Sequence, residues 1–526
     1  MSRAYNLEHY RQKLAEAGML DQDGDFARAS GALAALCYRE EIESCLRTPH
    51  HGGFVLLDLQ DFPGQGTALV GMLDAFMDSK GIITPEQWRQ FCAPTVLLAK
   101  FRKYTWTGDE IFNADIKVAH YGAQDLPDTK LDWTLKDAKG QTLTSGELPA
   151  TGVRQGGVRP IGDLAIPLAS LTNLAIPAQL RLELSLAGTP ITTSYPLWIY
   201  PPSIDAAPPS GVKVVRSFDA AARNALAAGE RVVLVWNGRR PLARTVGGGF
   251  APDFWNFQFF HDKPGTMGIL CDPANPALAQ FPTDSHSDWQ WFQMTLHAQP
   301  LILDTLMPAG DCPIVQVIDN YNRDHKLGLV FEARVGPGRL LVCASDLLTM
   351  GAECPEARQL LASLLAYAGS DRFEPRTAMS DEALRELFRA TIPMAGCTAT
   401  ASSFEDSWQN FTPPQLIDGN ESRGWHADPH ASSNSWCQIA FPKPTDLHGG
   451  EILWDEDKPG YKYIVEGSTD GTHWETLCDE RENTFRTARQ RLAFTAAGVR
   501  FVRIAISAVP YDHAPAINEV RFYAEE

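Results

Sequence analysis

The spacing of apolar residues changes several times along the chain, and this feature constrains the fold more than any other. Helical spacing dominates to about residue 103, and strand-like alternation follows in 104–205. Apolar strands then alternate with amphipathic helices over 206–375, and after a helical linker at 376–395 the strand pattern returns in 396–526. Because a domain usually holds about 100 to 200 residues, a chain of 526 residues is predicted to form several domains.

The first 103 residues are predicted to form two helices followed by one buried strand. Asn6 is placed to cap the first helix and Gly18 to end it, and a second helix runs from about Asp25 to Leu46. The apolar run at 54–59 is typical of a strand covered on both faces. The acidic residues of the second helix are expected to be solvated charges on its outer face. They are Glu40, Glu41 and Glu43.

The middle of the chain predicts two domains of different class. Residues 104–205 alternate like the strands of an antiparallel sandwich of Ig-like size. Residues 206–375 predict an α/β domain with a mostly parallel sheet, because apolar strands alternate there with amphipathic helices. The linker helix is expected to bury one face, which carries Leu384, Leu387 and Phe388.

Composition excludes several classes of partner. The formal net charge of −18 disfavours nucleic acid and anionic lipid surfaces. No apolar run reaches the ~18 residues of a membrane-spanning helix, and the polar N-terminus does not look like a signal peptide. Ten scattered cysteines without a CxxC pair are unlike a zinc site or a disulfide scaffold, so most are expected to be buried free thiols.

The last 130 residues carry a specific set of motifs. They are the run LIDGN at 416–420, Trp425, the strand of Trp436, the turn VEGSTDGTHW at 465–474 and the closing INEVRFY. This block resembles the discoidin, or F5/8 type C, domain that family 32 carbohydrate-binding modules share. The resemblance implies a jelly roll that binds sugars through the loops at one end. Trp425 and Trp436 are expected in its core.

The discoidin resemblance also implies candidate ligands. Six residues in plausible loops are candidates for contact with carbohydrate: Trp408, Arg423, Asp428, Trp454, Tyr511 and His513. A structural calcium ion is implied at Asp418 and Glu519, since calcium takes oxygen ligands from tight Asp-Gly loops. The alternative is an ordinary Asx turn at Asp418 with Glu519 solvated. No organic cofactor is expected.

The segment GGFVLLDLQDFPGQGTALVGMLDAFMDSKG, residues 52–81, supports a second resemblance. It is similar to the last barrel strand and following loop of family 2-like glycoside hydrolases. The order of domains in that group also matches. This resemblance implies the end of a (β/α)8 barrel, an Ig-like sandwich, a glutamine-amidotransferase-like α/β domain and the discoidin jelly roll. The pocket residues it implies are Gln60, Asp61, Phe62 and Gln65. Asp61 has an equally weighted structural alternative, as a cap or loop contact.

The catalytic pair of such an enzyme is not found in this sequence. Retaining glycosidases use two carboxyl groups, which in the resembled family are glutamates, one of them preceded by Asn. Asn-Glu occurs only at Asn420-Glu421 and Asn518-Glu519, inside the discoidin block. We therefore predict no catalytic residue here and no activity of this chain alone, with the rest of the barrel as a partner. The resemblance implies a periplasmic or extracellular location for the full-length family.

Three further readings stay open. The chain could be a non-catalytic carbohydrate-binding or scaffold protein. It could act as an amidotransferase-like enzyme through Cys271 or Cys343, although neither has the glycine-flanked elbow of such nucleophiles. The alternating Asp284, His286 and Asp288 could bind a metal if all three lie on one face, although no second cluster completes such a site.

Overall fold

The structure is a computed structural model. It describes residues 5–62, 69–171, 174–236, 238, 241–247, 266–296, 298–321, 323–407, 411–421, 423–430, 435–455, 460–484, 487–509 and 514–525. The described residues fall into two compact units. The first extends through Asp381, apart from residues 241–245, and the second comprises 241–245 and the residues from Glu382 onward. No helix in the described ranges is long and apolar enough to cross a bilayer.

The two predicted N-terminal helices are confirmed. They are α1, Tyr5–Glu16, and α2, Asp23–Arg47, and a short helix α3, Pro85–Arg89, follows. Gly18 has a positive φ of 68° just after α1, a conformation that ends a helix and that glycine adopts without strain. Helix α3 is capped by Thr84, whose side chain accepts the Gln87 N–H while the Gln87 side chain accepts the Thr84 N–H.

The predicted buried strand at 54–59 is wrong. This segment belongs to no strand and bends at Leu57 and Leu59, and Val55 is 95% and Leu57 61% exposed. Within the described residues before Thr95 no strand forms, and the Leu59 carbonyl accepts the Leu73 N–H at 3.1 Å only as part of an isolated bridge between Gln60 and Leu73. Tyr38 of α2 touches it, with its hydroxyl 3.2 Å from the Asp58 carbonyl oxygen. An apolar run becomes a buried strand only where a partner strand and a covering layer exist.

Eight strands between residues 95 and 200 form two packed sheets. Strands β1 to β8 are Thr95–Lys100, Thr105–Thr107, Ile111–His120, Thr129–Asp137, Thr142–Ala150, Gly157–Pro167, Ala178–Leu186 and Thr192–Tyr200. The sheet orders are β1-β3-β6 and β2-β8-β7-β4-β5. Phe112 and Leu164 of the first sheet and Leu135 and Leu182 of the second share one apolar core. The predicted antiparallel sandwich is present, with one parallel pairing, between β2 and β8.

The next domain combines one sheet with helices. Strands β9 to β15 are Val212–Val215, Arg231–Val235, Thr266–Cys271, Leu301–Ile302, Val315–Asp319, Leu327–Val335 and Gly338–Cys343. Helices α4 to α7 are Ala220–Ala227, Phe292–Leu296, Leu347–Met350 and Pro355–Gly369. The sheet order is β11-β13-β14-β15-β10-β9, with β12 beside β14.

The expectation of a mostly parallel sheet is wrong. Only β9, β10 and β15 run parallel, while the pairings β11-β13, β13-β14, β12-β14 and β14-β15 are antiparallel. The reason lies in short connections. Val335 pairs with Gly338 across a tight turn at Gly336, whose φ is 55°, and a hairpin of this kind makes neighbouring strands antiparallel.

The linker helix α8, Asp381–Leu387, starts at the last residue of the first unit, and the rest of the helix belongs to the second unit, which continues as a two-sheet sandwich. Leu384, Leu387 and Phe388 are buried as predicted. Strands β16 to β24 are Thr398–Ala401, Trp425–His426, Ser435–Leu447, Gly450–Trp454, Lys462–Ser468, Glu475–Glu480, Arg489–Leu492, Ala496–Ala508 and Ala516–Phe522. The two sheets have the orders β16-β18-β23-β20-β21 and β17-β24-β19-β22.

Candidate functional site

Six strands of the second unit begin or end at one end of its sandwich. In one sheet His426 at the end of β17 pairs with Ala516 at the start of β24, and Trp454 at the end of β19 pairs with Ile517. In the other sheet the starts of β18 and β20 pair with the end of β23. Trp454 joins the two sheets, because its ring stacks on Tyr461 directly before β20. The loops leaving these strand ends therefore lie at a common end, which we call the loop end.

His426 is the centre of the polar groups at the loop end. Its ring stacks on Phe411 with centroids 3.8 Å apart and planes 5° from parallel. Its Nδ1 lies 3.9 Å from a Glu405 carboxylate oxygen and its Nε2 lies 3.8 Å from one of Asp455. Backbone hydrogen bonds hold the group together, since Glu405 donates to the His426 carbonyl and Asp455 donates to that of Ala516.

The His426 imidazole is shifted toward its neutral form. Burial lowers the pKa of His426 below its usual 6.5, although the Asp455 and Glu405 carboxylates act in the opposite direction. A neutral imidazole offers one donor and one acceptor, and the two carboxylates offer acceptors. Phe404, whose neighbour in the chain is Glu405, is 45% exposed and adds an apolar surface. The imidazole and the two carboxylates thus form a polar group that can both donate and accept hydrogen bonds.

Sequence reasoning missed Glu405, His426 and Asp455. The sequence did offer one indication of His426. Successive side chains of a strand point to opposite faces, so a buried Trp425 predicts that the His426 side chain points outward. Asp428 is partly exposed near this group, and its backbone N–H donates to the Ser403 hydroxyl. Three other predicted sugar contacts lie outside the described residues. They are Trp408, Tyr511 and His513.

Trp454 does not fit the expectation of a sugar contact. It is 2% exposed, one ring face is covered by Tyr461 at 3.9 Å, and its indole N–H donates to Gln490 at 2.6 Å. Its position at the strand end turns the side chain inward, where it packs as a core residue. Trp425 is fully buried as predicted. Trp436 is only partly buried, and Arg503 packs over its ring.

The residues expected to bind calcium have protein partners. Arg423 donates to Asp418 Oδ2 through Nε at 3.0 Å and lies 2.8 Å from it through Nη2. The Asn420 N–H donates to Asp418 Oδ1, which makes the Asx turn. Glu519 is buried and accepts the Gly419 N–H at 3.1 Å, and burial raises its pKa to about 8. The alternative of a solvated Glu519 is therefore wrong.

These contacts do not fit a calcium ion. Calcium needs about six to eight oxygen ligands and no competing cation on them, whereas a guanidinium already pairs with Asp418. Among the described residues, no three His, Cys, Asp or Glu side chains come together as metal ligands. Arg423, a predicted sugar contact, is engaged in this pairing instead.

The described residues among the predicted pocket residues of the N-terminal block make loop contacts. Asp61 is buried and accepts the Gly71 N–H at 3.0 Å and the Lys80 ammonium at 2.6 Å, which are loop contacts. Gln60 forms a β-bridge with Leu73. Phe62 is 43% exposed, and Gln65 lies outside the described residues. Asp61 therefore stabilises the loop, which is the alternative to a role in a substrate pocket.

The cysteine nucleophiles of the amidotransferase-like hypothesis are inert in this structure. Cys271 lines a cavity of about 510 Å³ together with His286, but its thiol donates to the Asp284 carbonyl oxygen. Burial raises the pKa of Cys271 and of Cys343 to about 12, so neither forms a thiolate at neutral pH.

The alternating Asp284, His286 and Asp288 serve local structure. Asp284 accepts from Gln179, and the buried Asp288 accepts the backbone N–H groups of Gln290 and Trp291. Burial lowers the pKa of His286. These contacts direct the two carboxylates toward different partners, as expected of loop-stabilising residues.

Three segments of the chain match known domain families. Residues 110–201 match a domain of unknown function, DUF8488, and residues 213–389 match another, DUF8487. Residues 398–520 match the F5/8 type C domain. A search of curated proteins found no match. The resemblance of the remaining chain to family 2 glycoside hydrolases stays a prediction.

Several solved structures are similar to part of the chain. One is CpGH89CBM32-6 from Clostridium perfringens, with 24% identity over 24% of this chain and 94% of that chain, and a TM-score of 0.21. A second is CpGH89CBM32-5 from the same organism in complex with GalNAc-β-1,3-galactose, with 19% identity over 26% and 100%, and a TM-score of 0.24. A third is chitosan-binding module 1 of a Paenibacillus sp. IK-5 chitosanase/glucanase, with 22% identity over 24% and 94%, and a TM-score of 0.22. The predicted C-terminal discoidin domain is confirmed by the family match: residues 398–520 form an F5/8 type C domain.

Proposed function

We propose that the chain binds carbohydrate through its F5/8 type C domain, as an accessory sugar-binding protein. One observation carries the proposal: at the loop end of this domain the His426 ring nitrogens lie within 4 Å of a Glu405 carboxylate oxygen on one side and of an Asp455 carboxylate oxygen on the other. Sugar hydroxyls both donate and accept hydrogen bonds, which suits an imidazole between two carboxylates. The family match of residues 398–520 supports the same role.

The proposed contacts combine described and sequence-predicted residues. His426, Asp455 and Glu405 would bind the hydroxyls, with Asp428 as a further acceptor. Trp408, Tyr511 and His513 stay predictions for the aromatic and polar walls, because sugar rings stack their C–H faces on aromatic rings.

A glycan array of the full chain tests this function, and calorimetry then measures the affinity for each hit. The first probes are the sugars of similar carbohydrate-binding modules, which are GalNAc-β-1,3-galactose, chitosan and pectin. His426→Ala and Asp455→Asn should each weaken binding about tenfold, since a hydrogen bond to a charged or strongly polar group contributes about 1.5 kcal/mol.

His473→Ala is the matched control for these variants. His473 is exposed in the turn between β20 and β21, at the far end of the strands from the loop end. It should bind sugar like the unmodified chain. Absence of binding to every glycan, or unchanged affinity in both loop-end variants, would refute the proposed site.

We further propose that the sugar-binding domain serves a glycoside hydrolase of the family 2 type, with this chain contributing no catalytic carboxylate pair. The order of predicted domains and the 52–81 segment support this view. Aryl-glycosides should show no turnover above buffer with the purified chain, and robust hydrolysis would contradict it. The alternative is a binding or scaffold protein without a catalytic partner. An in-frame barrel sequence directly upstream of the gene would argue against that alternative.

A further inference from the structure

The loop before β17 and the middle of β24 bring two carboxylates close to each other. Asp418 stands at the start of this loop. The N–H of the next residue, Gly419, donates to Glu519 Oε2 at 3.1 Å. Asp418 is partly exposed, with 24% of its side chain accessible, whereas the Glu519 side chain is 3% accessible. Burial raises the pKa of Glu519, and the Asp418 carboxylate beside it needs a positive partner, because an uncompensated buried charge is costly.

Arginine side chains supply that positive charge. Arg423, five residues after Asp418, directs both Nε and Nη2 at Asp418 Oδ2. On the Glu519 side, Arg521 Nε lies 3.9 Å from Oε1. A guanidinium is always protonated and presents several donors in one plane, so it satisfies carboxylate oxygens without water or metal.

The arrangement extends into a larger ion network. Arg521 lies 2.6 Å from Glu421 and 3.4 Å from Glu451, and Arg489 lies 2.7 Å and 2.5 Å from the same two carboxylates. The Tyr523 hydroxyl donates to Glu451. Four carboxylates, those of Asp418, Glu421, Glu451 and Glu519, thus lie among three guanidiniums. Entry of a divalent cation at Asp418 would place it against the Arg423 guanidinium.

We infer that the Arg423 guanidinium takes the place of a divalent cation at Asp418, beside Glu519, so that the F5/8 type C domain folds without calcium. Arg423 is thereby a structural residue that replaces a metal. The inference does not depend on the proposed sugar binding, because its readouts are stability and calcium binding.

Thermal unfolding of the full chain, followed by tryptophan fluorescence, tests the inference. The melting temperature should be the same in CaCl2 and in EGTA, with MgCl2 as the control for ionic strength. Titration of CaCl2 into the native chain should give no saturable heat. A melting temperature that rises with calcium and falls with EGTA, or a saturable calcium isotherm, would overturn the inference.

Arg423→Gln provides the second arm. This variant should melt at a lower temperature in EGTA and should now be stabilised by CaCl2, because the Asp418 carboxylate loses its cation. Arg481→Gln is the matched control, since Arg481 makes an exposed ion pair with Asp479 in the same domain and should show neither effect. An Arg423→Gln chain that folds and gains no response to calcium would also contradict the replacement. If that variant does not fold, the calcium titration of the unmodified chain decides.

Discussion

At the scale of single residues, Glu43 of α2 is held by three donors. Arg39 Nε lies 2.7 Å and Arg47 Nη1 3.0 Å from its two oxygens, and the Tyr195 hydroxyl of β8 donates at 3.0 Å. The side chain is 0% exposed. Burial raises the pKa of Glu43, while the two arginines act against that rise. The expectation that Glu43 is a solvated helix charge is therefore wrong, because the sandwich covers this face of α2.

Replacing Glu43 by Gln should destabilise the first unit. The neutral amide leaves the guanidiniums of Arg39 and Arg47 without their carboxylate, and removing one partner of a buried ion pair costs about 3 kcal/mol. Urea unfolding followed by fluorescence measures the change. Glu41→Gln is the control, because Glu41 is exposed on the same helix. Equal midpoints for the two variants would show that the buried pair adds no stability.

His426 should make the stability of the second unit depend on pH. Its pKa is 6.5 in the unfolded chain and lower in the fold, so its contribution is complete above pH 6.5 and is lost as pH falls through the folded value. The difference in melting temperature between the unmodified chain and His426→Gln should shrink below pH 6.5.

His473 is a control whose pKa is shifted in the opposite direction to that of His426. Asp470 raises the pKa of His473, so any contribution of His473 is present at low pH and is lost as pH rises. A melting-temperature difference for His426→Gln that grows toward acid pH would mean that Glu405 and Asp455 outweigh burial, contrary to this prediction.

At the scale of elements, the position of β17 depends on close backbone contact at Gly424. A Cβ atom there would lie 2.1 Å from the Ile517 carbonyl oxygen and 2.3 Å from the Asn518 Cα of β24. Gly424→Ala should therefore push β17 away from β24 and destabilise the domain by about 2 kcal/mol. Because His426 belongs to β17, sugar affinity should fall as well.

Gly52→Ala is the control for the Gly424→Ala variant. Gly52 lies in the N-terminal block, where no atom is within 4 Å of the added Cβ. Chemical unfolding compares the two variants. If the Gly424→Ala variant unfolds at the same denaturant concentration as the unmodified chain, the contact between β17 and β24 is looser than the structure indicates.

The elements also show where sequence patterns succeed. Helices α1, α2 and α8 follow from apolar spacing and end signals that lie within each segment. The sheet of the α/β domain was predicted with the wrong strand directions, because pairing depends on connections rather than on the apolar content of each strand.

At the scale of the whole molecule, the ten cysteines should differ in reactivity. Cys271, Cys343 and Cys437 are buried, and burial raises their pKa values to about 12, while Cys312 is exposed. Iodoacetamide at neutral pH should label Cys312 and spare the other three until denaturant is added, as peptide mass spectrometry can show. Rapid labelling of Cys271 or Cys343 in the native chain would revive the amidotransferase-like hypothesis.

The candidate site was predictable only in part. The motifs of residues 416–425 and 465–474 identified the domain, whereas the Arg423 partner of Asp418 and the Gly419 N–H contact of Glu519 came only from the structure. The loop-end group of Glu405, His426 and Asp455 was not found, because its members are separated by about 20 to 30 positions in the sequence and meet only when the strand ends align.

The sequence by itself determined the helical and strand periodicities, the change of domain class along the chain and the discoidin character of its end. These features are written in neighbouring residues and in short motifs. The tertiary structure decided that 54–59 forms no strand, that Glu43 is buried, that Trp454 faces Tyr461 and that Arg423 pairs with Asp418. Burial and ion pairing depend on which distant segments pack together, and local spacing does not specify that choice.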